Sequence, residues 1–314
     1  MCRLLGVVAA QPAALSELLA AELEPFAGLA CEHADGWGIS YVNPHGRNPR
    51  GRVITEKEPV AALESSAFRR LADRVVTRVA ILHLRLGSPG SATTMANTHP
   101  FGDVRRAFAH NGQFVPASAL DGTLAGGGAA AGGDTDSERY YLAVRDRIDT
   151  GTAPAAAIAA AAADIRALAD HWESANCLLL TPGALYAYAD HSPDSRVIER
   201  RGPGFFDLHY LTEPGRVVVA STGWPQPADR WQRLRDRQVL EVGLDLTLTP
   251  HDGCRTALVT GAGDADQMGA AGRSSTRGTT SARREGFTVN DHSIARQAGP
   301  DGPRTAAAPG RAGT

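Results

Sequence analysis

Met1-Cys2-Arg3-Leu4-Leu5-Gly6-Val7-Val8-Ala9-Ala10 opens the chain. Its apolar residues run on without the alternation of a half-exposed strand, so the segment predicts a strand over 2–10 that is covered on both faces. A strand of that kind needs neighbours on its edges and a layer of structure above and below it. Its cysteine directly follows the initiator methionine, so loss of Met1 would leave a thiol and a free α-amine on one residue. An α-amine, with an ordinary pKa near 8, can act as general base for its own side chain, directly or through a water. The same cysteine also reads as a small buried hydrophobe, the usual fate of a free thiol.

Beyond this strand, Pro12 opens a helical pattern through Leu15, Leu18, Leu19 and Leu23. Further strands are predicted over 37–42, 52–56, 75–84, 106–109, 176–181, 184–189, 197–200, 208–212, 216–221 and 239–248, and helices over 59–72, 136–148 and 154–172. Short turns such as Thr181-Pro182-Gly183 join successive strands and favour antiparallel pairing. Strand groups interleaved with a few long helices, without strict βαβ alternation, predict an α+β class: two mainly antiparallel sheets with helices packed outside. The glycine-rich run between Asp121 and Gly133 reads either as a tolerated surface insertion or as a mobile lid. From about residue 251 apolar periodicity gives way to Gly, Ala, Ser, Thr and Arg. A folded domain is therefore expected over 1–250 and a disordered low-complexity tail over 251–314.

The 314 residues carry 34 acidic against 32 basic side chains, a formal net charge of −2. That balance gives no footprint for nucleic acid. Cysteines at 2, 31, 177 and 254 form no CxxC pair, which fits a reducing compartment, and the cytoplasm is the expected location. Gln11, Pro12 and the glutamates after them break the first apolar run, so no signal peptide is expected. No stretch reaches the ~18 continuous apolar residues of a membrane helix. The histidines lack HExxH or finger spacing, so no metal site is expected.

Four segments add candidate chemistry. His83-Leu84-Arg85-Leu86-Gly87-Ser88 ends an apolar strand in an arginine, whose planar fork can clamp a carboxylate. Asn97-Thr98-His99-Pro100-Phe101 places His99 in a polar loop, where it can support such a site or serve structure alone. Phe108-Ala109-His110-Asn111-Gly112 offers an Asn side-chain N–H and a Gly backbone N–H, a two-donor cradle for an oxyanion; Asn-Gly is equally a hairpin turn signal. Gly133-Asp134-Thr135-Asp136-Ser137-Glu138 precedes a helix, so one aspartate is expected to cap it while another accepts an α-ammonium.

In this order, Met-Cys-Arg-Leu-Leu-Gly, HLR, NTHPF, AHNG and DTDSE resemble the glutaminase domain of class II glutamine amidotransferases, with motifs over about residues 1–140. The resemblance implies the N-terminal nucleophile hydrolase fold, a four-layer αββα sandwich. It also implies Cys2 as nucleophile, Asn111 and Gly112 as oxyanion donors, Arg85 on a glutamine α-carboxylate and Asp136 on its α-ammonium, with His99 at the substrate site. The family usually shows Arg-x-Ala-Thr after the HxR arginine; here Gly87-Ser88 follow Leu86, and Ser88 takes the hydroxyl role. Asp35-Gly36-Trp37-Gly38 is similar to small stand-alone members, some of which hydrolyse γ-glutamyl peptides. The implied reaction is hydrolysis of glutamine or a γ-glutamyl amide through a Cys2 thioester, without a cofactor. Two other readings stay open: a glutaminase subunit passing ammonia to a separate synthase, and a non-catalytic glutamine-binding module. A homo-oligomer is equally open.

Overall fold

The computed structural model describes residues 1–43, 51–88 and 90–252. In chain order the elements are β1 Arg3–Ala14, α1 Leu15–Leu18, α2 Leu23–Gly28, β2 Trp37–Asn43, β3 Arg52–Glu58, α3 Ser66–Arg74, β4 Val76–Leu84, β5 Phe101–Asp103, β6 Arg106–Val115, α4 Asp136–Asp149, α5 Pro154–Leu168, β7 His171–Leu180, β8 Ala184–Ala189, α6 Arg196–Arg201, β9 Leu208–Glu213, β10 Arg216–Ser221, β11 Trp231–Arg233, β12 Gln238–Gly243 and β13 Leu248–Asp252. They form two antiparallel sheets, seven strands in the order β11-β9-β10-β1-β4-β2-β3 and six in the order β13-β12-β8-β7-β6-β5.

Strand β1 sits at the centre of the seven-stranded sheet, paired with β10 on one edge and β4 on the other. Its period-2 alternation sends Leu4 and Val8 into the space between the sheets, against Ala107, Ala109, Leu178, Leu180 and Leu185. Leu5, Val7 and Ala9 point the other way, onto Leu15, Phe26, Phe68 and Ala72 of α1, α2 and α3. Burial on both faces is why this stretch carries no polar residue between Arg3 and Gln11. Each fully buried Leu or Val contributes roughly 1.5–3 kcal/mol. A third core lies outside the six-stranded sheet, where Phe108, Cys177 and Leu179 pack on α4 and α5. The layers are helix, sheet, sheet, helix, the αββα sandwich expected from the sequence.

Several elements differ from their sequence-based expectation. The helical pattern from Pro12 is still strand, since Ala13 and Ala14 pair with Thr77 and Val76 after a register shift, and helix begins only at Leu15. The strand expected over 197–200 is helix α6, because the Ser195 hydroxyl accepts the Ile198 N–H at 3.2 Å and caps it. The strand expected over 239–248 is a hairpin: Leu246 takes φ of 66°, and Asp245 accepts the Thr247 N–H at 3.0 Å, folding β13 back on β12. The alanine-rich helix expected to reach 172 ends at Leu168, because His171 and Trp172 pair with Val115 and Phe114 of β6. The helix expected over 59–72 starts at Ser66, where Ser65 caps Phe68 N.

Asn111-Gly112 is no turn. It lies inside β6, opposite Asn176 and Ala175 of β7. The short strands β5 and β11 gave no usable pattern in the sequence. The glycine-rich run contains a 3-10 turn at Gly127–Ala130 and is tied to α4, whose Glu138 accepts the Gly132 and Gly133 N–H groups at 3.0 and 2.7 Å. Strand β13 runs through Asp252; from 253 the expected tail lies outside the described residues. Among those residues, no helix is long and apolar enough to cross a membrane.

Candidate active site

Cys2 precedes β1 by one residue and follows the parity of Leu4, toward the space between the sheets. It is 7% exposed. Its thiol lies 3.9 Å from the Leu86 carbonyl, which also accepts the Met1 ammonium at 3.2 Å. Burial pushes the thiol above its usual pKa, and the nearby terminal ammonium, the Leu86 contact and Arg85 oppose that push. Burial also lowers the Met1 amine below 8, with Arg3 adding to the effect. Burial thus favours the protonated thiol and the neutral amine side by side.

From the opposite sheet, β6 supplies Asn111. It shares the parity of Ala107 and Ala109, so its side chain faces the inter-sheet space. Asn111 is fully buried, and neither its Nδ2 nor its Oδ1 has a hydrogen-bond partner. Buried amides are nearly always paired, so one without a protein partner is open to a ligand or an ordered water. Gly112 is required by the backbone: a methyl there would lie 1.8 Å from the Ser174 carbonyl oxygen and 2.5 Å from His110 Nε2. Its neighbour His110 donates from Nε2 to that same carbonyl at 3.0 Å and is held 2.8 Å from the Ser137 hydroxyl through Nδ1.

Arg85 is 2% exposed and forms no ion pair with a described residue. Its guanidinium instead donates to the Asp35 carbonyl at 3.4 Å, the Ser91 hydroxyl at 2.8 Å and the Ala92 carbonyl at 3.2 Å. A cation so placed holds its fork rigid while its charge stays unmatched. Ser88, the expected hydroxyl, is partly exposed and makes no side-chain hydrogen bond with a described residue; Ser91 is the serine on Arg85. Asp136 opens α4 and accepts the Phe114 N–H at 2.9 Å and the Ser137 hydroxyl at 3.3 Å. Neither aspartate of DTDSE caps the helix, as had been expected; Thr135 does, accepting the Glu138 N–H at 3.2 Å, because its position is the one directly before the first helical residue.

The motifs are joined by one hydrogen-bonded path. Ala92 O, which accepts from Arg85, also accepts from Asn97 Nδ2 at 3.1 Å, and Asn97 Oδ1 accepts the Asp134 N–H at 3.2 Å. The Asp35-Gly36-Trp37-Gly38 segment braces the arginine strand. The Asp35 N–H donates to the Arg85 carbonyl at 3.0 Å, the Gly36 carbonyl accepts the Arg85 N–H at 2.8 Å, and the Asp35 carboxylate takes the Gly87 N–H at 2.8 Å. A methyl at Gly38 would come within 2.1 Å of the His99 carbonyl oxygen, so only glycine lets the His99 loop rest on β2. Asp35, Ser91 and Asn97 escaped the sequence reading as site residues, since their contribution is to hold loops; a signal lay only in the DGWG pattern.

His99 is buried, stacked on His83 at 4.1 Å and edge-on to Phe101 at 4.6 Å. Desolvation holds both imidazoles well below their usual pKa, so both are neutral. On the other face of β1, Arg3 is buried with Nε and Nη1 unpartnered and lies over the Phe205 ring at 4.4 Å. Burial lowers it to about 10. His33 nearby is lowered to about 3 by desolvation, reinforced by Arg3. A cleft of 490 Å³ lined by Gln113, Val115, His171, Glu173, Arg196, Glu199 and Arg200 contains no thiol.

The fold is similar to three solved structures. A glutamine aminotransferase class-II domain protein from Silicibacter pomeroyi is 18% identical with a TM-score of 0.55, the match covering 81% of this chain and 100% of that one. The glutamine phosphoribosylpyrophosphate amidotransferase from B. subtilis is 16% identical with a TM-score of 0.55, covering 81% of this chain and 50% of that one. A structure described as the allosteric regulatory enzyme of purine biosynthesis is 16% identical with a TM-score of 0.57, covering 81% and 49%. The chain thus spans the whole of the first and about half of the other two. No curated protein matches it. The family model for class-II glutamine amidotransferases matches residues 1–226, most of the chain, and the protein belongs to that family.

Proposed function

We propose that this protein hydrolyses glutamine or a γ-glutamyl amide by itself, through a thioester on Cys2. The observation that carries the reading is the buried Asn111 amide, without a protein partner and on the inter-sheet face that Cys2 also takes. In this reaction loss of Met1 leaves the α-amine on Cys2, one residue deeper in the fold. That amine takes the thiol proton as sulfur attacks the γ-carbonyl carbon. The oxygen of the tetrahedral intermediate receives hydrogen bonds from Asn111 Nδ2 and the Gly112 N–H, in a site where water is largely excluded. Collapse expels ammonia or an amine, which takes the proton back. Water, deprotonated by the same amine, then cleaves the thioester and releases glutamate.

Arg85 would hold the substrate α-carboxylate and Asp136 its α-ammonium, with His99 and Ser88 at the edges of the glutamyl pocket. Support comes from the charges: Arg85 has no carboxylate partner, and Asp136 has no cationic one, among the described residues. We assign the catalytic domain to residues 1–250 and the cytoplasm as its location, from the thiol pattern. The test uses purified, Met1-processed protein with glutamine and a panel of γ-glutamyl amides, following glutamate release. Wild type should turn over and Cys2→Ala should not. Equal rates in the two would end the nucleophile assignment, and turnover that rises only with an added synthase would assign ammonia delivery instead.

A further inference from the structure

Residues 2, 83 and 99 share no metal-binding spacing, yet the fold draws them together. Cys2 comes from the position just before β1, His83 from β4 and His99 from the loop before β5. One sulfur and one nitrogen of each ring lie within 4.8 Å of one another, and all three residues are buried. We propose that Cys2, His83 and His99 form a binding site for a divalent transition ion, Zn²⁺ above all, whose occupancy reversibly blocks the Cys2 thiol. The blocking role rests on the nucleophile assignment above; the binding itself does not.

The donor set is the first argument. One thiolate and two imidazoles suit a borderline-soft ion in tetrahedral geometry and leave the fourth position open. In Met1-processed protein the Cys2 α-amine can fill it, closing a five-membered chelate ring with its own sulfur. Hydrogen bonding is the second argument. The His110 carbonyl, 3.3 Å from His83 Nε2, can only accept, so Nε2 of neutral His83 carries the proton and Nδ1 keeps its lone pair. A carbonyl on the far nitrogen is the usual orienting contact of an imidazole ligand. Nδ1 of His83 and both nitrogens of His99 have no hydrogen-bond partner, although the rings are fully or almost fully buried. Packing histidines for structure alone would ordinarily pair those atoms. The two rings stack with their planes 25° apart, so they move as one packed unit. Binding forms a sulfur–metal bond as the thiol proton passes to solvent, with no change in oxidation state.

Cobalt titration of the full, Met1-processed chain tests the site, in a Cys31→Ser, Cys254→Ser background so that those two thiols do not contribute. One equivalent of Co²⁺ should give tetrahedral d–d bands with a thiolate-to-cobalt charge-transfer band, and Zn²⁺ should displace it. Cys2→Ser should lose the charge-transfer band, and His99→Gln should weaken binding by more than about a hundredfold, beyond what loss of an outer contact does. Absence of the band in the parent, or its survival in Cys2→Ser, would overturn the site. Should either variant misfold, alkylation of Cys2 in the parent decides: protection by Zn²⁺ supports the proposal, and an unchanged rate defeats it. Hydrolysis that proceeds equally with chelator and with saturating Zn²⁺ would overturn the blocking role and leave the hydrolase standing. No hydrolysis in either condition, beside an intact cobalt spectrum, supports the metal site and counts against the hydrolase.

Discussion

At Asn111 a buried side-chain amide goes without protein partners, a deficit that costs about 1–3 kcal/mol in the empty fold. Replacing it with alanine should therefore leave stability unchanged or slightly raised while kcat falls about 100- to 1,000-fold, as for loss of one oxyanion donor. Steady-state kinetics with a melting curve check this; a mutant that melts early and keeps its kcat would make Asn111 a structural residue. Arg85 calls for a gentler change, because alanine would also release Ser91 and Ala92. Arg85→Lys keeps the charge and loses the fork, and should raise KM for glutamine about 30-fold, the equivalent of ~2 kcal/mol, with kcat much less affected. An unaltered KM would remove Arg85 from the substrate site. The amine left on buried Cys2 would be desolvated there, which favours its neutral form, so the acid limb of kcat/KM should fall below the ordinary amine value of about 8. A pH profile with its limb above 8 would contradict that environment.

Among the elements, the placing of β2 against the His99 loop is the most sensitive contact. Gly38→Ala puts a methyl where the His99 carbonyl now sits, backbone against backbone, so no side-chain rotation relieves it. The mutant is expected to fold with the loop displaced and to lose at least about tenfold in kcat/KM, since small misplacements of positioned groups are costly. Wild-type activity in Gly38→Ala would show that the loop's seat is unimportant. Elements were legible in the sequence where one cause governs them. The β8 and β10 strands, 184–189 and 216–221, carry apolar runs that each follow a glycine, Gly183 and Gly215, and fall where expected. Elements misread were those set by partners: α6 follows from one serine cap, and the end of α5 from the pairing of His171 and Trp172 with β6. An alanine-rich segment has no sequence reason to stop before a strand it does not yet touch.

Across the described residues, His33, His83 and His99 are among the histidines buried in neutral form. His33 is lowered to about 3, and His83 and His99 well below 6.5, chiefly by desolvation. Each is neutral in the fold yet protonates in the unfolded chain near 6.5, so the unfolded state binds more protons as pH falls. Their contribution to stability is complete above about pH 6.5 and is lost progressively below it. Each should cost on the order of 1 kcal/mol by pH 5.5. Urea unfolding at pH 7.5 and 5.5 measures this, and a midpoint that does not move would mean the rings titrate freely. The amino-acid sequence by itself determined the α+β class, the doubly covered first strand and the motifs from which the candidate site residues are drawn, because hydrophobic period and motif chemistry are local. Only the tertiary structure decided that Asn111 stands inside a strand facing the other sheet, that Ser91 rather than Ser88 meets Arg85, and that Cys2, His83 and His99 converge. Those facts depend on register between strands far apart in the chain, which a long-range pairing fixes and no single segment encodes.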